Sequence, residues 1–264
     1  MNKKYLVLGS CRVVNTVANE INNNVTVINK NDLWFTHYIQ EHIQKIKHLF
    51  NINPLPEKEK ELFVRFEQKN HYKNKPELGV ADSLINNKTK LCNDNSQGVL
   101  NVVVELPTTR YIKISYNDNI LWGHSGSLKK IRESPFKLSS GLCDDAEFIK
   151  LLAEFEQIIL ELALHKNLAE SVNFIYVPHS PFIESEEGIW ETSEQRAHIS
   201  DLIRQYCLKE NTDSISRLPV QRCFLNIGEM IQKNGGVRRM LKDQNHYSPV
   251  GRRIAYKYIS ELAL

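Results

Sequence analysis

Apolar positions along this chain gather into short dense runs, separated by stretches in which they recur at helical spacing. Residues 4–9 are nearly continuous in apolar character and predict a buried strand. A helix is expected from Val13 to Ile21, just after Cys11, and a second short strand over Val25–Ile28. Ile39, Ile43, Ile46 and Phe50 fall on one stripe, which predicts a helix over about 33–50. Val99-Leu-Asn-Val-Val-Val-Glu-Leu106 is the strongest strand signal, suited to a central parallel strand covered on both faces, and Pro107-Thr108-Thr109-Arg110 ends it.

Between these runs the pattern thins. Residues 51–98 hold Pro54, Pro56, Pro76 and many Lys and Asn; a helix near 57–68 and then a polar, Asn-rich excursion are expected. Residues 111–142 mix strand-like pieces with Gly, Ser and Pro and read as an insertion or lid. Asp144 is placed to cap a long amphipathic helix whose buried face carries Phe148, Leu151, Leu152, Phe155, Ile158, Ile159 and Leu162. A strand over 172–177 is closed by Pro178-His179-Ser180-Pro181. A helix from about 193 to 208, capped by Thr192 or Ser193, a strand within 215–225 and a short helix over 226–234 follow. Ser248 and Pro249 suit the N-cap and first residue of a terminal helix to about Leu262. Strands alternating with helices, without an internal repeat, predict a single α/β domain over 1–264 with a mainly parallel sheet and polar insertions near 51–98 and 111–142.

Composition narrows the function classes. A hydrophobic share of 41% and a charged share of 25% suit an ordinary globular protein. The 34 Lys/Arg against 31 Asp/Glu leave only +3, scattered without a facing aromatic ladder, so nucleic acid is not an expected partner. Arg238-Arg239 and Arg252-Arg253 could bind an anionic ligand, but solvated surface is the commoner fate of such clusters and is expected here. Five cysteines without a Cys-x-x-Cys pair argue against a disulfide framework or structural zinc and fit a reducing compartment. The apolar run before Gly9 is too short for a signal peptide, and no stretch of about eighteen apolar residues suggests a membrane span. A cytoplasmic location is expected.

Two short constellations carry chemistry. Gly9-Ser10-Cys11-Arg12 sets a thiol at a strand-to-helix turn, at the edge where open parallel sheets bind ligands. There the free N–H groups and dipole of the helix stabilise a thiolate or oxyanion, Arg12 adds a fixed positive charge, and Gly9 allows a sharp turn. The bland alternative is a small buried cysteine. Neither a Gly-x-Gly-x-x-Gly nor a P-loop pattern is present, and Val17 stands where a Cys-x5-Arg phosphatase loop needs Arg. At the other end, Asp243-Gln-Asn-His246 offers His246 to accept a nucleophile's proton and Asp243 to fix its tautomer. A surface Asp beside an ordinary His is the commoner fate of such a pair, but the thiol turn tips the balance. His37 and His42 do not share a helix face, so metal ligation is not expected. His179 is read as a rim residue, Trp34, Trp122 and Trp190 as packing, and His124 and Ser125 as part of the insertion.

This pattern resembles the SGNH/GDSL hydrolase superfamily, with Gly9-Ser10-Cys11 standing where its Gly-Asp-Ser turn would be. Asp243-Gln-Asn-His246 and the following Tyr-Ser-Pro-Val-Gly251 are similar to its block before the last helix. The Gly-Ser-Cys start is closer to cysteine-containing branches, the GSCFA-type proteins and the capsule-polysaccharide proteins. One of the latter groups is associated with coenzyme A binding. The resemblance implies a three-layer sandwich with a flavodoxin-like sheet and helices on both faces. It implies catalytic Cys11, His246 and Asp243, with Ser10 and Arg12 at the oxyanion and substrate.

Two middle blocks of that superfamily differ here. Asn29-Lys-Asn-Asp32 has no oxyanion-hole Gly, and Glu105-Leu-Pro-Thr108-Thr109-Arg110 replaces Gly-x-Asn-Asp. Thr108 or Thr109 can donate to the oxyanion instead, and Arg110 can hold an anionic substrate. A thioester on cysteine passes its acyl group to an amine, hydroxyl or thiol as well as to water. The expected activity is therefore acyl transfer, or ester and thioester hydrolysis, in polysaccharide or secondary-metabolite biosynthesis. Its partners would be a small-molecule acyl donor and acceptor, with acyl-CoA a possible substrate and no metal or required cofactor. A silent module of the same fold, binding a coenzyme A-like or sugar-nucleotide ligand, is the alternative.

Overall fold

The structure is a computed structural model that describes residues 3–19, 25–29, 36–50, 98–116, 119–123, 137–213 and 217–264. The helix expected near 57–68, the Asn-rich excursion, Trp34, His124 and Ser125 lie outside the described residues. The chain forms two compact units, one of residues 1–28, 94–108 and 160–264, the other of 29–93 and 109–159.

The first unit is built on five parallel strands: β1 (Lys3–Leu8), β2 (Val25–Val27), β3 (Val99–Leu106), β7 (Ser171–Pro178) and β10 (Val220–Phe224). They lie side by side in the order β10-β7-β3-β1-β2. Tyr5 to Leu8, Val102 to Val104 and Phe174 to Val177 are all buried, as expected of strands covered on both faces. Helix α1 (Cys11–Asn19) packs on β1 and β3, and α4 (Glu194–Asp213) packs on β7 and β10. The terminal helix α7 (Pro249–Leu262) packs against α1. The observed architecture is thus α/β with an all-parallel central sheet flanked by helices. The sequence signals for β1, β3, β7 and α7 match the observed elements within about a residue. The hairpin β8 (Phe182–Glu184) and β9 (Trp190–Thr192) had no legible signal, and Ser193 Oγ caps α4 through the Arg196 N–H at 3.4 Å.

Counted among themselves, the five strands run 2-1-3-4-5. The order in which strands are added therefore reverses between β1 and β3, and the crevice at their carboxyl ends is where such sheets bind ligands. At the opposite end, Asn101 and Asn173 face each other across β3 and β7 and share a 2.9 Å hydrogen bond. Their side-chain amides also donate to the carbonyls of Leu264 (3.1 Å) and Leu262 (2.9 Å), while the Leu264 N–H donates to Asn101 Oδ1. Lys3 Nζ donates to the Ser260 and Ala263 carbonyls at 2.8 and 2.7 Å. Pinned there by its last turn, α7 runs back along the sheet with its N-terminus toward the carboxyl ends.

That N-terminus is held by Ser248, whose Oγ accepts from the Gly251 N–H (2.9 Å) and donates to the Arg239 carbonyl (2.6 Å). Arg239 belongs to the short helix α6 (Val237–Met240), which follows α5 (Ile227–Lys233). Gly251 abuts the Met240 carbonyl so closely that a Cβ there would overlap it.

In the second unit, β4 (Arg110–Tyr116) pairs antiparallel with β5 (Asn119–Trp122) and with β6 (Lys137–Leu142). The strand-like pieces of 111–142 are therefore a three-stranded sheet. Helix α2 (Ile39–Leu49) joins β5 through Gln44, whose amide donates to the Trp122 carbonyl and accepts from its N–H. Asp144 caps α3 (Asp145–His165) through the Glu147 N–H at 2.8 Å.

Gly251→Ala tests the α7 contact. In an open helix interior the exchange gains about 1 kcal/mol. Here the methyl meets backbone, so a loss of about 1–3 kcal/mol is expected, read as a lower urea midpoint at unchanged slope. An unchanged or higher midpoint would contradict the contact.

Candidate functional site

Cys11 is the first residue of α1, directly past the carboxyl end of β1, and Ser10 is its N-cap. The Ser10 carbonyl accepts from the Val14 N–H at 3.0 Å, and its Oγ accepts from the Arg12 N–H at 3.2 Å. The turn is fixed by Glu105, next to last in the neighbouring strand β3. Glu105 Oε2 accepts from the Ser10 N–H (2.8 Å) and Ser10 Oγ (2.5 Å). Glu105 Oε1 accepts from Arg12 Nε (2.8 Å), Arg12 Nη2 stands 2.7 Å from the same oxygen as an ion pair and not a hydrogen bond, and both side chains are fully buried.

Gly9 has a reason other than a sharp bend. A Cβ there would stand 2.8 Å from Glu105 Cβ and 3.3 Å from Val13 Cβ, so glycine lets β3 and α1 close on the turn.

Asp243 and His246 come from a second small piece, the hairpin of β11 (Leu241–Asp243) and β12 (His246–Tyr247). His246 Nδ1 lies 2.8 and 2.9 Å from the two Asp243 oxygens, and the Asn245 N–H donates to Asp243 Oδ1 at 2.8 Å. An ionised carboxylate only accepts, so Nδ1 carries the proton and Nε2 of the neutral ring is the basic nitrogen. Both side chains are exposed, 51% for His246 and 42% for Asp243.

The two ends of the chain meet here. Helix α1 packs against β12, and the Arg12 guanidinium stands over the Tyr247 ring, 5.4 Å from its centroid. The residue after Cys11 thus touches the residue after His246. Arg196 closes the arrangement from α4, donating Nη1 to the carbonyls of Ser180 (3.2 Å), Phe182 (3.2 Å) and Gln244 (3.1 Å) and Nη2 to Asn245 Oδ1 (3.3 Å).

These charges set the state of the thiol. Burial pushes the Cys11 thiol up, the Glu105 and Asp243 charges push it the same way, and Arg12 opposes them without prevailing. The expected effect of Arg12 is present, but its charge is already matched by Glu105. Cys11 is therefore a neutral thiol near pH 7. Burial would raise the Glu105 carboxyl, but Arg12 and the Ser10 donors outweigh it and hold it below the usual carboxylate range. Burial of Asp243 is likewise outweighed, by the Asn245 N–H and His246. Burial pushes the Tyr247 phenol up to about 12, so the ring under Arg12 stays neutral. Burial and the Arg12 charge push the Arg196 guanidinium down to about 10, still a cation at neutral pH.

The expected site residues fall as follows. Cys11, Ser10, Arg12, Asp243 and His246 belong to the first unit, with Ser10 and Arg12 turned to Glu105. Thr108 is half-buried past the end of β3 in the same unit. Thr109 and Arg110 belong to the second unit, where the Thr109 carbonyl accepts from the Cys143 N–H and Arg110 opens β4 opposite Leu142. His179 follows β7, half-buried. His42 is buried, with Nδ1 2.8 Å from Thr36 Oγ1.

Among the described residues no cluster of His, Cys, Asp and Glu could hold a metal ion, and no helix is long and apolar enough to cross a membrane. Sequence reasoning did not single out Glu105, although a carboxylate inside Val-Val-Val-Glu-Leu was its signal. Tyr247 and Arg196 left no comparable mark. No known protein-family model matches the chain, and no curated protein matches it significantly.

Glu105→Gln keeps the side-chain volume but strips the buried Arg12 of its countercharge. Breaking a buried pair costs about 3–5 kcal/mol, expected as a large fall in urea midpoint. Because the folded Glu105 carboxyl titrates below its unfolded value, the wild type also loses this contribution as pH falls below about 4.3 toward the folded value. Glu105→Gln should lack that part of the acid sensitivity. Equal urea midpoints for the two proteins at neutral pH would contradict the assignment.

Proposed function

We propose that the chain is an SGNH-like enzyme of the cysteine-containing type, acting on an acyl ester, thioester or amide. The observation that carries this reading is the Asp243–His246 pair joined to the Cys11 turn through Arg12 and Tyr247. The 2-1-3-4-5 sheet supports it, since Cys11 stands at the crevice between β1 and β3. His246 Nε2 takes the Cys11 proton as Sγ bonds to the acyl carbon, and Asp243 stabilises the imidazolium. The tetrahedral oxyanion collapses, the bond to the leaving group breaks, and His246 returns the proton to that group. The resulting thioester passes to water or, in biosynthesis of a polysaccharide or secondary metabolite, to an acceptor hydroxyl, amine or thiol. Thr108, past Glu105, is assigned to the oxyanion side, and acyl-CoA is a candidate donor.

The raised thiol favours a second reading, a silent module of the same fold that holds a coenzyme A-like or sugar-nucleotide ligand. Incubation with acetyl-CoA and with p-nitrophenyl acetate, followed by peptide mass spectrometry, separates the two. The enzyme reading expects an acyl adduct on Cys11. His246→Ala should slow its formation by about 10²–10⁴-fold, and Cys11→Ala should abolish turnover with the fold intact. Turnover retained in Cys11→Ala would sink the enzyme reading. Absence of any adduct, with a Cys11 alkylation rate indifferent to His246, would favour the silent module.

A further inference from the structure

Gln244 and Asn245 are the two residues that separate the acid Asp243 from the base His246, and one side chain from another part of the first unit grips both. Arg196, in the first turn of α4, donates Nη1 to the Gln244 carbonyl at 3.1 Å and Nη2 to Asn245 Oδ1 at 3.3 Å. The same Nη1 reaches the carbonyls of Ser180 and Phe182, at the carboxyl end of β7 and in β8. Asn245 relays the grip, because its N–H donates to Asp243 Oδ1, the oxygen 2.8 Å from His246 Nδ1. All four acceptors on Arg196 are neutral, so charge neutralisation does not account for the cation. It is half-buried, feels the like charge of Arg12, and bears both costs in order to join three segments at the turn. A planar fork that reaches several fixed acceptors at once is what a guanidinium offers and an ammonium does not.

We propose that Arg196 is a positioning residue that holds the Asp243–His246 turn in register with β7 and β8, so that Nε2 stays aimed at Cys11. The assignment rests on the reading of Asp243 and His246 as orienting acid and base. It concerns no contact with substrate.

The test is the pH dependence of Cys11 alkylation by iodoacetamide, followed by peptide mass spectrometry on folded protein. It compares the wild type, His246→Ala, Arg196→Met, Arg196→Lys, Asn245→Ala and the double variant His246→Ala/Arg196→Met. His246→Ala is expected to slow alkylation near neutral pH by about tenfold or more, because the neutral thiol loses its base. Arg196→Met should reproduce most of that loss. Arg196→Lys should not restore it, and Asn245→Ala, which removes only the Nη2 acceptor, should give a smaller loss. The double variant should be no slower than His246→Ala alone, the non-additivity of groups that act as one unit.

Wild-type profiles in Arg196→Met and Arg196→Lys, beside a slowed His246→Ala, would overturn the inference and leave the acid–base reading standing. A wild-type profile in His246→Ala would remove the reading itself and the inference with it. If circular dichroism shows Arg196→Met unfolded, Arg196→Lys and Asn245→Ala decide, and wild-type profiles in both overturn the inference.

Discussion

The carboxylate of Glu105, near the end of β3, is buried and accepts three hydrogen bonds from the turn that presents Cys11, with the Arg12 guanidinium paired to it. Taking a carboxylate and a guanidinium out of water costs several kcal/mol for each ion, and good geometry with every lone pair engaged is needed to recover it. Here the Ser10 N–H, Ser10 Oγ and Arg12 Nε supply hydrogen bonds, and Arg12 Nη2 adds an ion-pair contact at 2.7 Å. Withdrawing Arg12 would leave the buried carboxylate without its countercharge. The shape of Gly9-Ser10-Cys11-Arg12 is thus set by an electrostatic requirement as well as by helix capping. Gly9 is the steric counterpart, since any Cβ at that position would push β3 away from the turn.

The same arrangement determines what kind of nucleophile Cys11 can be. A helix N-terminus and an adjacent arginine would ordinarily favour a thiolate. In this chain burial is the largest influence on the thiol and raises it, the Glu105 charge acts in the same sense, and Arg12 opposes them without prevailing. The thiol is therefore held in its neutral form near pH 7. The exposed His246 lies on a hairpin that reaches this turn through Tyr247. Its tautomer is fixed by Asp243, and its hairpin is contacted by α1 at β12 and by Arg196 at Gln244 and Asn245.

The readable parts of the fold were those with a local cause. The apolar runs of β1, β3 and β7, the Asp144 cap and the Ser248-Pro249 helix start each declare themselves within a few residues. The Cys11 turn and the Asp243-x-x-His246 block were legible for the same reason, as short motifs with fixed spacing. What joins them was not. Glu105 meets Ser10 across 95 positions, and Arg196 meets Gln244 across 48. Three of the four Arg196 acceptors are backbone carbonyls, which leave no side-chain signature in a sequence. The β8–β9 hairpin escaped because its strands are three residues long and mostly exposed or half-buried, without alternation.

Anchoring of α7 links the fold to the site more directly than the sheet alone. Its last turn is captured by Asn101 and Asn173 near the amino ends of β3 and β7, while its first turn presses Gly251 against the Met240 carbonyl. Met240 immediately precedes β11, the strand that ends in Asp243. A rigid helix pinned at one end of the sheet therefore fixes the chain just upstream of Asp243 at the other end. Glu105 does the corresponding work for the Cys11 turn from within β3 itself. The strand that holds Asn101 at one end holds Glu105 at the other, so β3 contributes both to the Cys11 turn and to the anchoring of α7, which it shares with Asn173 of β7 and Lys3 of β1. A change in the packing of β3 would act on the Cys11 turn and on the anchoring of α7 together, whereas a change in α4 or the β11–β12 turn would act on Asp243 and His246 alone.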